Sequence, residues 1–207
     1  MFNISASHFE EITRDPWLTV GRTQYRYEVD KTNKVIRVTG QSSRNNDWGD
    51  NFDFRAREVA VQWFADKKDI KIHAGFLRQY KAVRDILMTV CEAYSDYAIR
   101  VDGYSLGASW TQIFTQDVLY HWPNRDVQAI LYAPGNPWRK LPKVFKAKLK
   151  QHITYVRSIW DPVTWMRMFG FCRYGAEVRI GKWYRILPLQ HKTDQIIKGL
   201  KELRGDK

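Results

Sequence analysis

The stretch that most constrains this chain is residues 97–122. An apolar, strand-like run, Tyr97–Asp102 (YAIRVD), meets Gly103-Tyr104-Ser105-Leu106-Gly107, and a helical pattern, ASWTQIFTQDVLYHW, follows at once. A G-x-S-x-G between a strand and a helix requires a sharp turn that holds the serine at its apex with strained backbone angles. Glycines two before and two after remove the side chains that would collide there. The hydroxyl then projects at the C-terminal edge of a sheet. The N–H of Leu106 opens the helix, where the helix dipole favours developing negative charge.

The rest of the chain is consistent with such a sheet. Phe76, Tyr80, Val83, Leu87, Val90 and Tyr94 recur at steps of three and four, which predicts an amphipathic helix from about Gly75 to Tyr94. Val127–Tyr132 and Ile153–Trp160 read as strands, Leu141–Lys150 as a basic helix and Thr193–Leu203 as a terminal helix. A short helix is expected near Ala6–Thr13. The runs TQYRYEV (23–29) and KVIRVTG (34–40) alternate on either side of a polar turn and predict a hairpin. Glu58–Ala65 reads as an exposed edge strand, and Glu177–Ile180 with Trp183–Leu187 as a second hairpin about Gly181-Lys182. Alternating strands and helices imply crossover connections. The expected fold is therefore α/β, a mostly parallel central sheet with helices on both faces and antiparallel edge hairpins. No repeat, low-complexity tract or linker interrupts it, so residues 1–207 are expected to form a single domain.

Composition narrows the function classes. With 44% hydrophobic and 27% charged residues the chain is not of disordered type. Two cysteines, Cys91 and Cys172, cannot staple 207 residues, and they fit a reducing compartment. The N-terminal residues lack a basic region followed by an apolar one, and no run approaches a membrane span, so a cytoplasmic location is expected. No His/Cys cluster has metal-ligand spacing. The net charge of +12 favours contact with polyanions, yet no recognition helix or ribonucleoprotein-type aromatic motif accompanies it, so specific nucleic-acid binding is not expected.

An activated serine needs a base, and the base needs an orienting carboxylate. In α/β-hydrolases these follow in the order Ser, acid, His. Asp161 directly follows the strand ITYVRSIW and precedes Pro162, and His191 lies in a loop ahead of the terminal helix. The other histidines are poorly placed. His121 is at a helix end, His152 precedes the acid's strand, and His8 and His73 precede the serine.

These segments together resemble the class 3 (fungal-type) triacylglycerol lipases, a branch of the α/β-hydrolases. The resemblance runs from about Val35 to His191. It rests on Val35-Ile36-Arg37-Val38-Thr39-Gly40-Gln41 with Asp47-Trp48, on Ile72-His73-Ala74-Gly75-Phe76, on Gly103-Tyr104-Ser105-Leu106-Gly107-Ala108, on Tyr132-Ala133-Pro134-Gly135-Asn136-Pro137, and on Asp161-Pro162-Val163. It implies Ser105 as nucleophile, Asp161 as orienter and His191 as base, acting through an acyl-enzyme, with Gln41 and Leu106 as the oxyanion hole. It implies no metal and no organic cofactor. Tyr104 stands where the family has His, and Gln41 where it has Ser or Thr, so the extra hydroxyl donor is missing. Loss of an oxyanion donor costs about 3 kcal/mol in the transition state. The interval from Asp161 to His191 is short for the family.

The implied substrate is an ester or acylglycerol. Residues 41–57 hold Trp48, Phe52 and Phe54 but are otherwise polar or charged, so a greasy lid is not expected. The segment after Asp161, with Trp165 and Phe169, together with Tyr104 beside the serine, forms the expected substrate wall. A preference for short or medium acyl chains follows. Arg139–Lys150 (RKLPKVFKAKLK) carries no acid, and a weak contact with anionic membrane surfaces is one reading of it. The alternative to catalysis is a lipase-like binding or scaffold module, against which the intact Ser, Asp and His argue.

Overall fold

The computed structural model describes residues 4–14, 16–41, 56–58, 70–158, 161, 170–180 and 193–204. Five helices occur among them: α1 (Ala6–Ile12), α2 (Ala74–Ala93), α3 (Leu106–His121), α4 (Lys143–His152) and α5 (Thr193–Arg204). The strands are β1 (Leu18–Val20), β2 (Thr23–Asp30), β3 (Val35–Gly40), β4 (Ala56–Glu58), β5 (Lys71–His73), β6 (Ala98–Tyr104), β7 (Val127–Tyr132), β8 (Trp138–Lys140), β9 (Ile153–Ser158) and β10 (Ala176–Ile180).

One sheet has the order β1-β2-β3-β6-β7-β9-β10, and β4-β5-β8 form a small second sheet. From β3 to β10 neighbouring strands of the large sheet are parallel, while β1-β2 and β2-β3 are antiparallel. The expected N-terminal hairpin is present, extended by the three-residue β1. At the other edge β10 lies parallel to β9, so Ala176–Ile180 enters the sheet through a crossover. The second arm expected at Trp183–Leu187 lies outside the described residues. So does most of the strand expected at Glu58–Ala65, of which only Glu58 is described, within β4.

Period-two alternation sends the two faces of the sheet into two cores. Ile36, Val38, Ile99, Val101, Val127, Ala129, Leu131, Ile153 and Tyr155 face one side, packed with Phe76, Tyr80, Val83 and Leu87 of α2, with α3, and with Phe145 and Leu149 of α4. Tyr104, Ile130, Tyr132 and Val156 face the other, against Phe9 and Ile12 of α1 and Ile196 and Leu200 of α5. Helices thus cover both faces.

The sequence predicts α3 as an amphipathic helix. It is instead buried from Leu106 to Leu119, enclosed by the sheet and by α2 and α4. Several of its polar side chains are hydrogen-bonded, while the amide of buried Gln116 has no partner among the described residues. The Thr111 hydroxyl donates to the Gly107 carbonyl at 2.9 Å and that of Thr115 to Thr111 at 2.8 Å. Gln112 Nε2 donates to the Gly135 carbonyl at 3.0 Å. The buried Asp117 carboxylate accepts from Tyr80 Oη and Arg84 Nε, both at 2.6 Å, which fastens α3 to α2. Burial, then the adjacent Asp117 charge, pushes the Tyr80 phenol well above its ordinary range.

Candidate active site

Ser105 sits between the end of β6 and the start of α3 with φ 55° and ψ −119°. A non-glycine residue there is strained, and it persists only where the surroundings over-determine it. Those surroundings are tight. The Ser105 N–H donates to the Tyr132 carbonyl at 2.9 Å, across to β7. The Ser105 carbonyl accepts from both the Ser109 N–H at 3.0 Å and the Ser109 hydroxyl at 2.8 Å. A Cβ on Gly103 would stand 2.7 Å from Ala108 Cα, and one on Gly107 would overlap the Gly40 carbonyl. Both glycines of the motif are therefore required, the first by its own helix and the second by β3.

Gly40 ends β3 beside the elbow, so Gln41 arrives next to Gly107; a Cβ on Gly107 would lie 2.5 Å from Gln41 N. The Gln41 N–H donates to the Gln24 carbonyl at 3.1 Å and is engaged by the neighbouring strand. Leu106 carries the first amide of α3, one of the four that a helix leaves without an intrahelical acceptor.

Two strands away, Asp161 lies three residues beyond the end of β9, fully buried, with its N–H donating to the Ser158 carbonyl at 3.4 Å. Tyr104 connects the elbow to this corner. Its ring is 8% exposed and meets Phe9 edge-on at 5.2 Å between centroids. Its hydroxyl hydrogen-bonds the side chain of Thr193, the first residue of α5, and it feels the charge of Asp161. Burial, the largest cause, pushes its phenol up to about 12, although the Thr193 bond acts the other way. Tyr104 was expected to touch substrate; its ring is buried in the core of α1 and α5. His191, Trp165 and Phe169 lie outside the described residues.

Sequence reasoning missed three members of this region. Ser109 buttresses the elbow, and its place four residues after Ser105, one helical turn, is the signal that could have found it. Thr193 is the anchor for Tyr104. His8, set aside because it precedes the serine, donates from Nε2 at 2.9 Å to Asp102, a buried carboxylate on β6. Among the described residues no group of three or more His, Cys, Asp or Glu could hold a metal ion, and no helix is long and apolar enough to cross a membrane.

A family model described as Lipase (class 3) matches residues 35–170. In fold the chain is similar to the Rhizomucor miehei lipase–propeptide complex, with a TM-score of 0.62 and 17% identity over 87% of this chain and 62% of that one. It is similar to a triacylglycerol lipase from Penicillium expansum, with a TM-score of 0.62 and 18% identity over 86% of this chain and 76% of that one. A lipase from Rhizopus microsporus var. chinensis matches with a TM-score of 0.58 and 20% identity, over 88% and 69%. The chain thus spans less than two thirds of the Rhizomucor lipase and about three quarters of the Penicillium one. No curated protein matches it.

Proposed function

The chain belongs to the class 3 lipase family, and from that premise we propose that it is a serine hydrolase that cleaves carboxylic esters through Ser105, Asp161 and His191. The observation that carries the reading is the backbone of Ser105, held at φ 55° on a turn whose flanking glycines have no room for a side chain. Strain of this kind costs about 1–3 kcal/mol.

In the proposed reaction Ser105 Oγ attacks the ester carbonyl while His191 takes its proton. The carbonyl oxygen becomes an oxyanion, which the Leu106 N–H stabilises at the start of α3. The C–O bond to the alcohol breaks, and the alcohol leaves with the proton from His191. Water then attacks the acyl-enzyme, giving its proton to His191. The acid departs and Ser105 regains its hydrogen. Asp161, in its buried corner, holds the imidazole in the correct tautomer. Covalent geometry supports the base: only Lys192 separates His191 from Thr193, two residue steps that span about 7 Å at full extension, and Thr193 is bonded to Tyr104, the neighbour of Ser105. Gln41 adds its N–H to the oxyanion hole only when that group is shared with, or released from, the Gln24 carbonyl.

Trp165 and Phe169 are proposed to line the acyl site. Short or medium acyl chains are the expected substrates, with Tyr104 as a positioning residue. The test is a panel of p-nitrophenyl esters of increasing chain length with wild type and Ser105→Ala. Hydrolysis that peaks at short or medium length and disappears in Ser105→Ala supports the reading. Activity retained by Ser105→Ala rejects it.

A further inference from the structure

A second site is built at the far edge of the sheet. A cavity of about 330 Å³ opens there, on the face that α4 covers, and Arg157, Arg173 and Arg179 line it with Glu177, Asn136 and Tyr155. Arg157 on β9 and Arg179 on β10 are direct partners in the parallel register. Like charges in that relation destabilise a sheet. Glu177 offsets part of the repulsion. Its Oε1 accepts from Arg157 Nε and from Arg173 Nη2, the latter at 2.8 Å, and its Oε2 accepts from Arg179 Nε at 3.1 Å. Burial favours the neutral acid, but the hydrogen bonds and charges of Arg157 and Arg173 win and hold the Glu177 carboxyl at about 2. It is thus a fixed anion. Three guanidiniums against one carboxylate leave an excess of two positive charges on the lining. Arg173 is further aimed by Asn136, whose Oδ1 accepts from Nη1 at 3.1 Å, and its guanidinium lies 5.4 Å above the Tyr155 ring. Lys146 of α4 brings another cation, 5.0 Å above the ring of Tyr174, which also lines the cavity.

We propose that this cavity binds a phosphate monoester group. The excess charge matches the roughly −1.5 to −2 that such a group carries at neutral pH, where a carboxylate would neutralise half of it. Planar guanidinium forks suit its oxygens. The volume is larger than bare phosphate needs and leaves room for the first atoms of what the phosphate is attached to.

The cavity is also tied to the elbow. Asn136 follows Gly135, whose N–H donates to Ser109 Oγ at 2.8 Å, and Ser109 Oγ donates to the Ser105 carbonyl at 2.8 Å.

The test is calorimetric titration of the full chain with inorganic phosphate and with glycerol 3-phosphate, at constant ionic strength in chloride. Wild type is expected to show saturable binding. Arg179→Gln and Arg173→Gln are expected to weaken it about tenfold or more, since each removes a charged hydrogen-bond donor. Arg179 is 62% exposed, so its variant is expected to fold, which circular dichroism checks. Arg179→Lys should recover part of the affinity. Flotation with phosphatidylcholine vesicles, with and without phosphatidate, separates the sources. Phosphatidate-dependent flotation lost in Arg179→Gln identifies a lipid headgroup. Glycerol 3-phosphate binding without such flotation identifies a soluble ester. Either outcome supports the site. Absence of saturable phosphate binding, or equal affinity in wild type and both glutamine variants, overturns it. Reaction of Ser105 with a fluorophosphonate is scored separately: binding without labelling removes the hydrolase reading alone, and labelling without binding removes the phosphate site alone.

Discussion

Gly107, one residue into α3, packs so closely on Gly40 at the end of β3 that a methyl group on it would overlap the Gly40 carbonyl. The obstructing atoms are backbone and cannot rotate away. Gly107→Ala is therefore expected to push β3 and α3 apart and to cost about 3 kcal/mol or more, the upper range for overpacking. Urea denaturation measures this. A variant with the wild-type midpoint would show that the contact is looser than described.

The bond from Tyr104 to Thr193 joins the elbow to α5. Tyr104→Phe and Thr193→Val are each expected to lower kcat on a short ester several-fold, with KM little changed, because they loosen the approach of His191 and leave substrate contacts alone. The double variant should be no slower than the worse single one, since both remove one interaction. Independent, multiplying effects would count against the anchor.

His8 and Asp102 form a pH-dependent tie between α1 and β6. Burial lowers the imidazole's proton affinity, but the Asp102 hydrogen bond and charge together more than offset it, so His8 titrates above the ordinary 6.5. A group whose folded pKa is raised stabilises the protein fully below its unfolded pKa. That contribution is lost as pH rises through the folded value. The urea midpoint is expected to fall as pH rises from below the ordinary 6.5 through the raised folded value, and His8→Gln should flatten this slope. An unchanged slope in the variant would assign the dependence elsewhere.

Arg125 closes the far end of α2. Its guanidinium donates to the carbonyls of Cys91 at 2.7 Å, Tyr97 at 2.9 Å and Tyr94. Arg125→Met keeps much of the apolar stem and removes three charged donors. A loss of about 3 kcal/mol is expected, again read from urea unfolding. A loss below about 1 kcal/mol would place the carbonyls in contact with water.

The central strands were legible because their alternation survives in sequence. Ile99 and Val101 face one core while Tyr104 faces the other. The elbow was legible because its glycines are required for local reasons. The surroundings of α3 were not. Ser109, Thr111, Gln112, Thr115 and Asp117 are polar residues in a helix expected to be amphipathic, and only their carbonyl partners and the crossing to Tyr80 and Arg84 explain their burial. Strand direction was equally invisible: nothing in the alternation of Ala176–Ile180 says that it pairs in parallel with β9. His8 was dismissed on chain order, a rule that speaks to one catalytic arrangement and not to Asp102, whose side chain turns to the opposite face from Val101. The arginine cluster drew no notice because Arg157, Arg173 and Arg179 are far apart in sequence.

The central claim is that His191 and Asp161 make the Ser105 hydroxyl reactive. The most direct measurement is the rate of covalent labelling by a fluorophosphonate, with the modified peptide identified by mass spectrometry. Wild type is expected to carry a single adduct on Ser105. His191→Ala is expected to label at least a hundredfold more slowly, as loss of a general base requires, and Ser105→Ala not at all. A wild-type chain that takes no label, or a His191→Ala variant that labels at the wild-type rate, would contradict the account.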